Sequence, residues 1–170
     1  DKYNGWLESY VGDMVCYYWP YQPGADDEQE IHHQALFAAL ELAVLQKHFF
    51  ASMQQRYHTQ INTDTLDKMQ SIINAGIGLS TGNVVMGNLG PSHSAGLKKF
   101  GILGDPLNLA ARMESLTRLF NTEIIVSGSV IVLINPEQFP LRRLGKIKVK
   151  GRTVPETLYA MGSNSDPRCQ

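Results

Sequence analysis

The sequence has 170 residues, 43% of them hydrophobic and 18% charged, which fits one globular domain with a sizeable core. Its formal net charge of −1 provides no overall attraction for nucleic acid or for an anionic membrane, and we expect no nucleic-acid partner. Its two cysteines, Cys16 and Cys169, cannot form a disulfide framework, and no apolar run reaches the roughly 18 residues that span a bilayer.

The first predicted element is a β-hairpin over residues 6–19, which are rich in β-favouring residues and interrupted by a turn at Gly12-Asp13. A long amphipathic helix is predicted over residues 31–53, because apolar side chains recur there every three or four positions. Residues 58–71 are polar and predict a loop or a short helix.

The middle of the chain predicts strands followed by a second helix. Two apolar runs in residues 72–90, on either side of residues 80–83, predict a second hairpin. A Ser/Gly-containing arm at 91–96 leads to a strand at 99–103. Asp105 is predicted as the N-cap of a helix over 106–119, with Pro106 as its first residue.

The remaining elements complete a mixed architecture. They are strands at 123–126, 142–149 and 156–161 and a short helix at 128–134. Hairpins combined with crossovers predict an α+β fold, ferredoxin-like, with a mixed, mostly antiparallel sheet and helices packed on it. We predict one domain over residues 1–162 and a C-terminal tail over 163–170.

Five residues are candidates for binding a phosphorylated ligand and its metal. Asn108 and Arg112 lie four residues apart on one predicted helix face, near an N-terminus that favours anions. Asp13 lies in a tight turn, where a carboxylate suits a hard cation such as Mg²⁺. Lys148 and Lys150 project to one face of the predicted strand, and either could reach a phosphate. Each pattern also occurs on ordinary solvated surfaces.

Two other patterns do not support a site. Residues 76–87 are rich in glycine, but Asn88 stands where a phosphate-binding loop needs lysine and no helix follows. His32 and His33 are adjacent and therefore point in different directions, and we expect them to be solvated or helix-capping.

In their order along the chain, these pieces resemble the catalytic domain of class III adenylate and guanylate cyclases. The resemblance is carried by SYVGDMV at 9–15, AGIGLSTGNVVMGNLG at 75–90, FGILGDPLNLAARMES at 100–115, and VKG at 149–151 ahead of Tyr159. Four fragments in the family's order are specific, although each alone is modest.

The resemblance implies a role for each candidate. Asp13 would be one of two metal-binding aspartates, and two Mg²⁺ ions, or Mn²⁺, would serve each site. Asn108 would orient the ribose of ATP or GTP, Arg112 would stabilise charge on the phosphates, and Lys150 would hold the terminal phosphates. The family's sites lie between two antiparallel protomers, so the resemblance implies a homodimer or a heterodimer with another cyclase domain.

The resemblance also raises expectations about the rest of the protein. The second metal aspartate of the family precedes the position of Asp13, and we expect it upstream of this sequence. We further expect an upstream sensory or membrane domain. We expect the domain predicted over residues 1–162 to lie in the cytoplasm, either in a cytoplasmic protein or as the cytosolic domain of a membrane protein.

The purine pocket departs from the family's pattern. The family reads the base from two positions, which here are Ser9 and Gly101, and Ile102 follows in the same pocket. At the first position, adenylate cyclases carry lysine and guanylate cyclases carry glutamate. In this chain Glu8 precedes Ser9, and regular strand alternation predicts that the Glu8 side chain points to the opposite face of the strand from Ser9. We choose adenine only because adenylate cyclases are the commoner type.

Two alternatives stay open at this stage. The chain could be a catalytically silent cyclase-like domain that regulates or dimerises with a partner, because its purine positions are unusual. It could also be an unrelated ferredoxin-like binding module, for instance for RNA, although the sequence has no evident basic and aromatic platform.

Overall fold

The computed structural model describes residues 2–24, 26–57, 62, 64, 65, 68, 75–90 and 99–162. The first half contains strands β1 (Trp6–Val11) and β2 (Met14–Tyr18), helix α1 (Glu28–Tyr57) and strands β3 (Ile77–Leu79), β4 (Val85–Leu89) and β5 (Lys99–Leu103). The second half contains helix α2 (Asp105–Phe120), strand β6 (Ile124–Ser127), the short helix α3 (Gly128–Ile131), and strands β7 (Leu141–Ile147) and β8 (Glu156–Met161).

The centre of the molecule is a four-stranded sheet in the order β3-β6-β8-β7. β3 and β6 are parallel, whereas β6-β8 and β8-β7 are antiparallel. All four residues of β6 are buried, as expected for an inner strand covered on both faces. The predicted α+β class with a mixed, mostly antiparallel sheet is confirmed.

The two long helices pack on opposite faces of this sheet. Successive strand residues alternate between faces, and α1 packs with Ile124 and Val126 whereas α2 packs with Ile125. The side chains that α1 and α2 bury in these clusters are Leu36, Ala39 and Ala43 from α1 and Leu109 and Met113 from α2. Both predicted helices are confirmed, and α1 is longer at both ends than its apolar periodicity indicates.

Helix α1 is also long and apolar enough, by length and composition alone, to cross a membrane. Its buried face packs on β6, and its Lys47 forms a 2.9 Å ion pair with Glu123 at the start of that strand. These contacts are those of a helix that covers a sheet.

Strands β1 and β2 form the predicted hairpin, with Gly12 at φ 63° in the turn. The ladder contains a bulge: Leu7 pairs with Tyr17 and Ser9 pairs with Cys16, so Glu8 has no partner across the hairpin. A bulge leaves one extra residue on its strand and turns the side chains around it.

The predicted second hairpin is wrong. β3 pairs in parallel with β6, and β4 pairs antiparallel with β5, so the two strands lie in different sheets. The apolar runs correctly marked strands, but a short polar link between two runs does not determine their partners. The predictions for 91–96, for the tail 163–170 with Cys169, and for most of 58–71 lie outside the described residues.

Two glycines, Gly76 just before β3 and Gly78 within it, allow α2 to approach the sheet closely. A Cβ atom at Gly78 would lie 2.8 Å from the Glu114 backbone nitrogen, and one at Gly76 would lie 2.8 Å from the Glu114 carbonyl oxygen. Neither position can hold a larger residue without moving α2. This packing accounts for Gly76 and Gly78, and a strand, β4, follows the glycine-rich segment instead of the helix that a phosphate-binding loop requires.

Candidate active site

Helix α2 carries two of the predicted site residues in its first two turns. Its N-cap is Gly104, so the prediction that Asp105 caps the helix is wrong. Asp105 is instead the first helical residue, and its carboxylate forms a 3.1 Å ion pair with Arg152. Asn108 is exposed and Arg112 is half-buried, and their spacing of four places them on the same helix face.

The turn after β7 lies directly against Arg112. A Cβ atom at Gly151 would be 2.9 Å from Arg112 Nη2, so the guanidinium packs on the backbone of this turn. Gly151 has φ 78°, a conformation that side-chain-bearing residues rarely adopt. Lys150, the preceding residue, is exposed. The structure therefore brings the Lys150–Gly151 turn beside Arg112.

Lys148 and Lys150 do not lie on a strand, contrary to the sequence prediction. β7 ends at Ile147, and both lysines belong to the following loop. The residue between them, Val149, is 3% exposed and packs in the same core cluster as Leu109 and Met113. Val149 therefore anchors the loop to α2, which regular strand alternation did not predict.

Arg152 ties this loop to α2 a second time. Its guanidinium pairs with Asp105 at 3.1 Å and donates a 3.0 Å hydrogen bond to Glu156 Oε2. The sequence analysis missed these three residues. The four-residue spacing of Arg152 and Glu156 was the only sequence feature that could have indicated their hydrogen bond. The ion pair of Arg152 with Asp105 could not be foreseen, because it depends on the fold.

Asp13 is separate from this group. It is exposed at the tip of the β1-β2 hairpin and, within the described residues, makes no hydrogen bond or ion pair. In the same part of the chain, no three His, Cys, Asp or Glu side chains are grouped so that they could hold a metal ion. Within the described residues, Asp13 is therefore an isolated carboxylate and does not by itself form a complete Mg²⁺ site.

The predicted purine positions lie where β1 approaches β5. Gly101 and Ile102 are buried, and Ser9 is half-buried. The side chain nearest to the space beside Gly101 is Glu8: a Cβ atom at Gly101 would lie 3.1 Å from Glu8 Oε1. Lys99 Nζ lies 3.8 Å from the same oxygen. The expectation that Glu8 points away from this pocket is wrong, and the bulge is the reason.

A cavity of about 410 Å³ lies between the β1-β2 hairpin, the end of β3 and the start of α2. Ile102, Leu79 and Leu107 contribute to its apolar lining. Cys16 also lines it, and burial, with a smaller effect of the nearby Glu8 carboxylate, raises the pKa of the Cys16 thiol.

His32 and His33 are buried, so the expectation that they are solvated or capping is wrong. His32 Nδ1 donates to the Glu28 carbonyl oxygen at 2.6 Å, and its Nε2 lies 3.0 Å from Thr81 Oγ1. Tyr21 packs edge-on against the His32 ring. These contacts connect α1 to the segment after β3 and give His32 a structural role.

The chain matches a known protein family over most of its length. The family model described as "Adenylate and Guanylate cyclase catalytic domain" matches residues 10–162. The chain therefore belongs to the class III adenylate and guanylate cyclase catalytic domains, and the alternative of an unrelated RNA-binding module is excluded.

Individual relatives agree with this assignment. An adenylate cyclase of Anabaena cylindrica is 28% identical over 94% of this chain, and the match covers 28% of that protein. A bacterial light-regulated adenylyl cyclase is 26% identical with a TM-score of 0.66 over 94% of this chain and 38% of its own. The fold of the P. aeruginosa adenylyl cyclase CyaB matches with a TM-score of 0.66 at 23% identity, over 97% of this chain and 75% of that one. The chain thus spans about a quarter of its Anabaena relative.

Proposed function

We propose that this chain is part of a nucleotide cyclase that converts ATP or GTP to a 3′,5′-cyclic nucleotide and pyrophosphate. The observation that carries the proposal is the packing of Arg112 against the Lys150–Gly151 turn, with Asn108 one helical turn earlier. The amide and the guanidinium share one helix face near a helix N-terminus, where a triphosphate is favoured, and the Lys150 ammonium would join them from the adjoining turn.

The reaction needs charge stabilisation more than covalent help from the protein. The ribose 3′ hydroxyl gives its proton to water as its oxygen bonds to the α-phosphorus, while the bond from that phosphorus to the pyrophosphate oxygen breaks and negative charge grows on the leaving group. Arg112 would bind the phosphates where this charge develops, and Lys150 would bind the terminal phosphates. Asn108 would hold the ribose so that its 3′ oxygen faces the phosphorus.

The acidic part of the site would come from a second copy or from another cyclase domain. Asp13 lies on a different element from Asn108 and Arg112 and has no partner among the described residues. An antiparallel dimer would place the Asp13 of one protomer opposite the α2 surface of the other. Divalent metal, Mg²⁺ or Mn²⁺, would bind there, and Asp13 would supply one ligand. Domains outside this chain would set the dimer geometry, because the matched relatives are longer.

A catalytically silent regulatory domain is the second candidate. The unusual purine positions favour it, because Ser9 and Gly101 lack the side chains with which the resemblance implies that the base is read. In that case, the domain would dimerise with an active partner and contribute only the Asn108 and Arg112 surface or no residue at all.

One assay on the full-length protein separates the two candidates. ATP and GTP are supplied in parallel with Mg²⁺, and cyclic nucleotide is measured by mass spectrometry. A charge-assisted contact is worth about 1.5–3 kcal/mol, so Arg112→Ala should lower turnover at least about tenfold. Arg118→Ala, an exposed arginine in the last turn of the same helix, is the matched control and should retain activity. A wild-type dimer that forms neither product supports the silent domain.

A further inference from the structure

We propose that His32 is a positioning residue, which acts through Thr81 to fix the 80–83 segment against the first turn of α2. The kinetic consequence of this inference rests on the proposed function, because Asn108 lies at the end of that turn. The link from His32 to α2 itself is a property of the fold, and it can be measured without any reaction.

The His32 ring is buried, and both of its nitrogens have partners. Its Nδ1 lies 2.6 Å from the Glu28 carbonyl oxygen, and its Nε2 lies 3.0 Å from Thr81 Oγ1. A carbonyl oxygen can only accept, so Nδ1 carries the hydrogen, and Nε2 of the neutral ring accepts from the Thr81 hydroxyl. Tyr21 Oη lies 3.2 Å from the same Thr81 oxygen and therefore donates to it. These hydrogen bonds run in one direction and fix the Thr81 side chain.

The residues on both sides of Thr81 contact the start of α2. Ser80 Oγ donates a 2.9 Å hydrogen bond to the carbonyl oxygen of Pro106, the second residue of the helix. A Cβ atom at Gly82 would lie 2.9 Å from Pro106 Cγ, so the backbone there packs directly on the proline ring. The position of Thr81 is therefore transmitted to the first turn of α2.

The start of α2 depends on the 80–83 segment because the helix has no capping side chain of its own. Its N-cap is Gly104, which cannot accept hydrogen bonds from the first turn through a side chain. A Cβ atom at Gly104 would lie 2.9 Å from the Asn83 carbonyl oxygen, so the segment also packs on the cap. Asn108 follows Pro106 by two residues, and a shift of the segment would misplace the amide that holds the ribose.

The neighbouring residue, His33, provides a contrast within the same helix. It is also buried, but its Nε2 accepts from the Asn135 backbone N–H at 3.3 Å, and its ring packs against Phe37 and Phe139. None of these partners belongs to α2 or to the 80–83 segment. A substitution at His33 therefore removes a buried histidine without breaking the link to α2.

The test uses full-length variants that break the link and keep an apolar side chain in its place. His32→Leu removes the ring nitrogens, and Thr81→Val removes only the hydroxyl. Each should lower kcat about three- to tenfold and change KM less than about twofold, because a misplaced amide affects the attack more than nucleotide binding. Thr81→Ser keeps the hydroxyl and should restore at least about half of wild-type kcat. His33→Leu is the matched control and should change kcat less than about twofold.

Two further measurements separate positioning from a general loss of stability. The double variant His32→Leu/Thr81→Val should have a kcat within about twofold of either single variant, because both changes break the same hydrogen bond. Hydrogen–deuterium exchange of the peptide covering residues 105–112 should be at least about threefold faster in both single variants than in wild type. The same peptide should exchange at the wild-type rate in His33→Leu.

The outcomes distinguish this inference from the proposed function. Equal kcat losses in His32→Leu and His33→Leu, or losses that multiply in the double variant, overturn the positioning role and retain the cyclase. A wild type that forms no cyclic nucleotide rejects the proposed function, and the exchange rates then decide the link to α2. Faster exchange in Thr81→Val but not in Thr81→Ser or His33→Leu retains the link, and equal exchange rejects it. The two Thr81 variants carry the test if His32→Leu does not fold.

Discussion

The α2 region and the β1-β2 hairpin have very different surroundings in this molecule. Helix α2 is fixed to the sheet by close packing at Gly76 and Gly78, by the buried Met113, and by two contacts with the loop after β7. The hairpin forms its own two-stranded sheet, and its outer side chains, such as Tyr10 at 68%, are largely exposed.

The difference shows how the candidate site is divided. Arg112 packs against the Lys150–Gly151 turn within one chain before any ligand arrives, and such preorganisation lowers the cost of binding. The acid suited to bind a cation lies on an exposed tip, where it makes no hydrogen bond or ion pair with a described residue of the same chain. Dimerisation, in this view, completes the site by docking a hairpin onto a surface that is already assembled.

The largest expected effect comes from mixing two inactive variants. Asp13→Ala and Arg112→Ala should each abolish or strongly reduce cyclic nucleotide formation when tested alone. If one copy supplies Asp13 and the other supplies Arg112, random heterodimers contain one intact site, and the mixture should recover about a quarter of wild-type activity. The check is turnover after the two full-length variants are co-refolded or co-expressed. No recovery at all would contradict a site shared between copies.

The difference in packing predicts a difference in stability. Met113 is fully buried, so Met113→Ala should lower the free energy of unfolding by about 2–5 kcal/mol. Tyr10→Ala, on the exposed face of the hairpin, should change it by about 0.5 kcal/mol. Urea denaturation of the two full-length variants measures both values. Equal losses would mean that the hairpin is as tightly packed as α2.

A methyl group at Gly78 should push α2 away from β3. Its Cβ would lie 2.8 Å from the Glu114 backbone nitrogen, and overpacking of this kind costs about 1–3 kcal/mol. Gly87→Ala is the matched control within another strand, because a Cβ there has no neighbour within 4 Å. Thermal unfolding of the two variants gives the comparison, and turnover of Gly78→Ala should fall along with stability.

Loosening the loop after β7 should have a smaller effect. Arg152 links this loop to Asp105, and exposed ion pairs of this kind contribute up to about 1 kcal/mol. Arg152→Ala should therefore lower kcat/KM about two- to fivefold, with partial recovery in Arg152→Lys. Arg143→Ala, an exposed arginine of β7, is the control. An effect as large as that of Arg112→Ala would mean that Arg152 itself contacts the nucleotide.

The smallest expected effect concerns the Cys16 thiol. Burial and the Glu8 carboxylate raise its pKa, so the thiol stays protonated to higher pH than an ordinary cysteine and should alkylate slowly at pH 8. Glu8→Gln removes the smaller cause, which lowers the pKa and should increase the rate modestly. Peptide-level mass spectrometry after timed alkylation separates Cys16 from Cys169. An unchanged rate would place Glu8 away from this thiol.

The elements that local pattern determines were predictable from the sequence. The apolar period of three and four indicated α1 and α2, and the turn at Gly12-Asp13 indicated the first hairpin, because each signal lies within one segment. The partner of β3 was not predictable, since a parallel pairing with β6 joins residues 47 positions apart along the chain, such as Ile77 and Ile124.

The candidate site shows the same limit. The spacing of Asn108 and Arg112 is a property of one helix and was visible in advance. The contact of Arg112 with Gly151 and the pairing of Asp105 with Arg152 arise only when the loop after β7 folds back on α2. The orientation of Glu8 was predicted wrongly because strand alternation assumes a regular ladder, and the sequence has no clear mark of the bulge.

The bulge at Glu8 also has a consequence for how substrates are assigned to sequences of this kind. The base-reading position of the family is found by counting four residues back from Asp13. That count assumes that each residue between the two positions pairs regularly in the ladder. One extra residue in the ladder changes this relation, and in this chain the Glu8 carboxylate, not the serine four residues before Asp13, lies beside Gly101. A residue count alone is therefore insufficient to identify the side chain that faces β5 from such a strand.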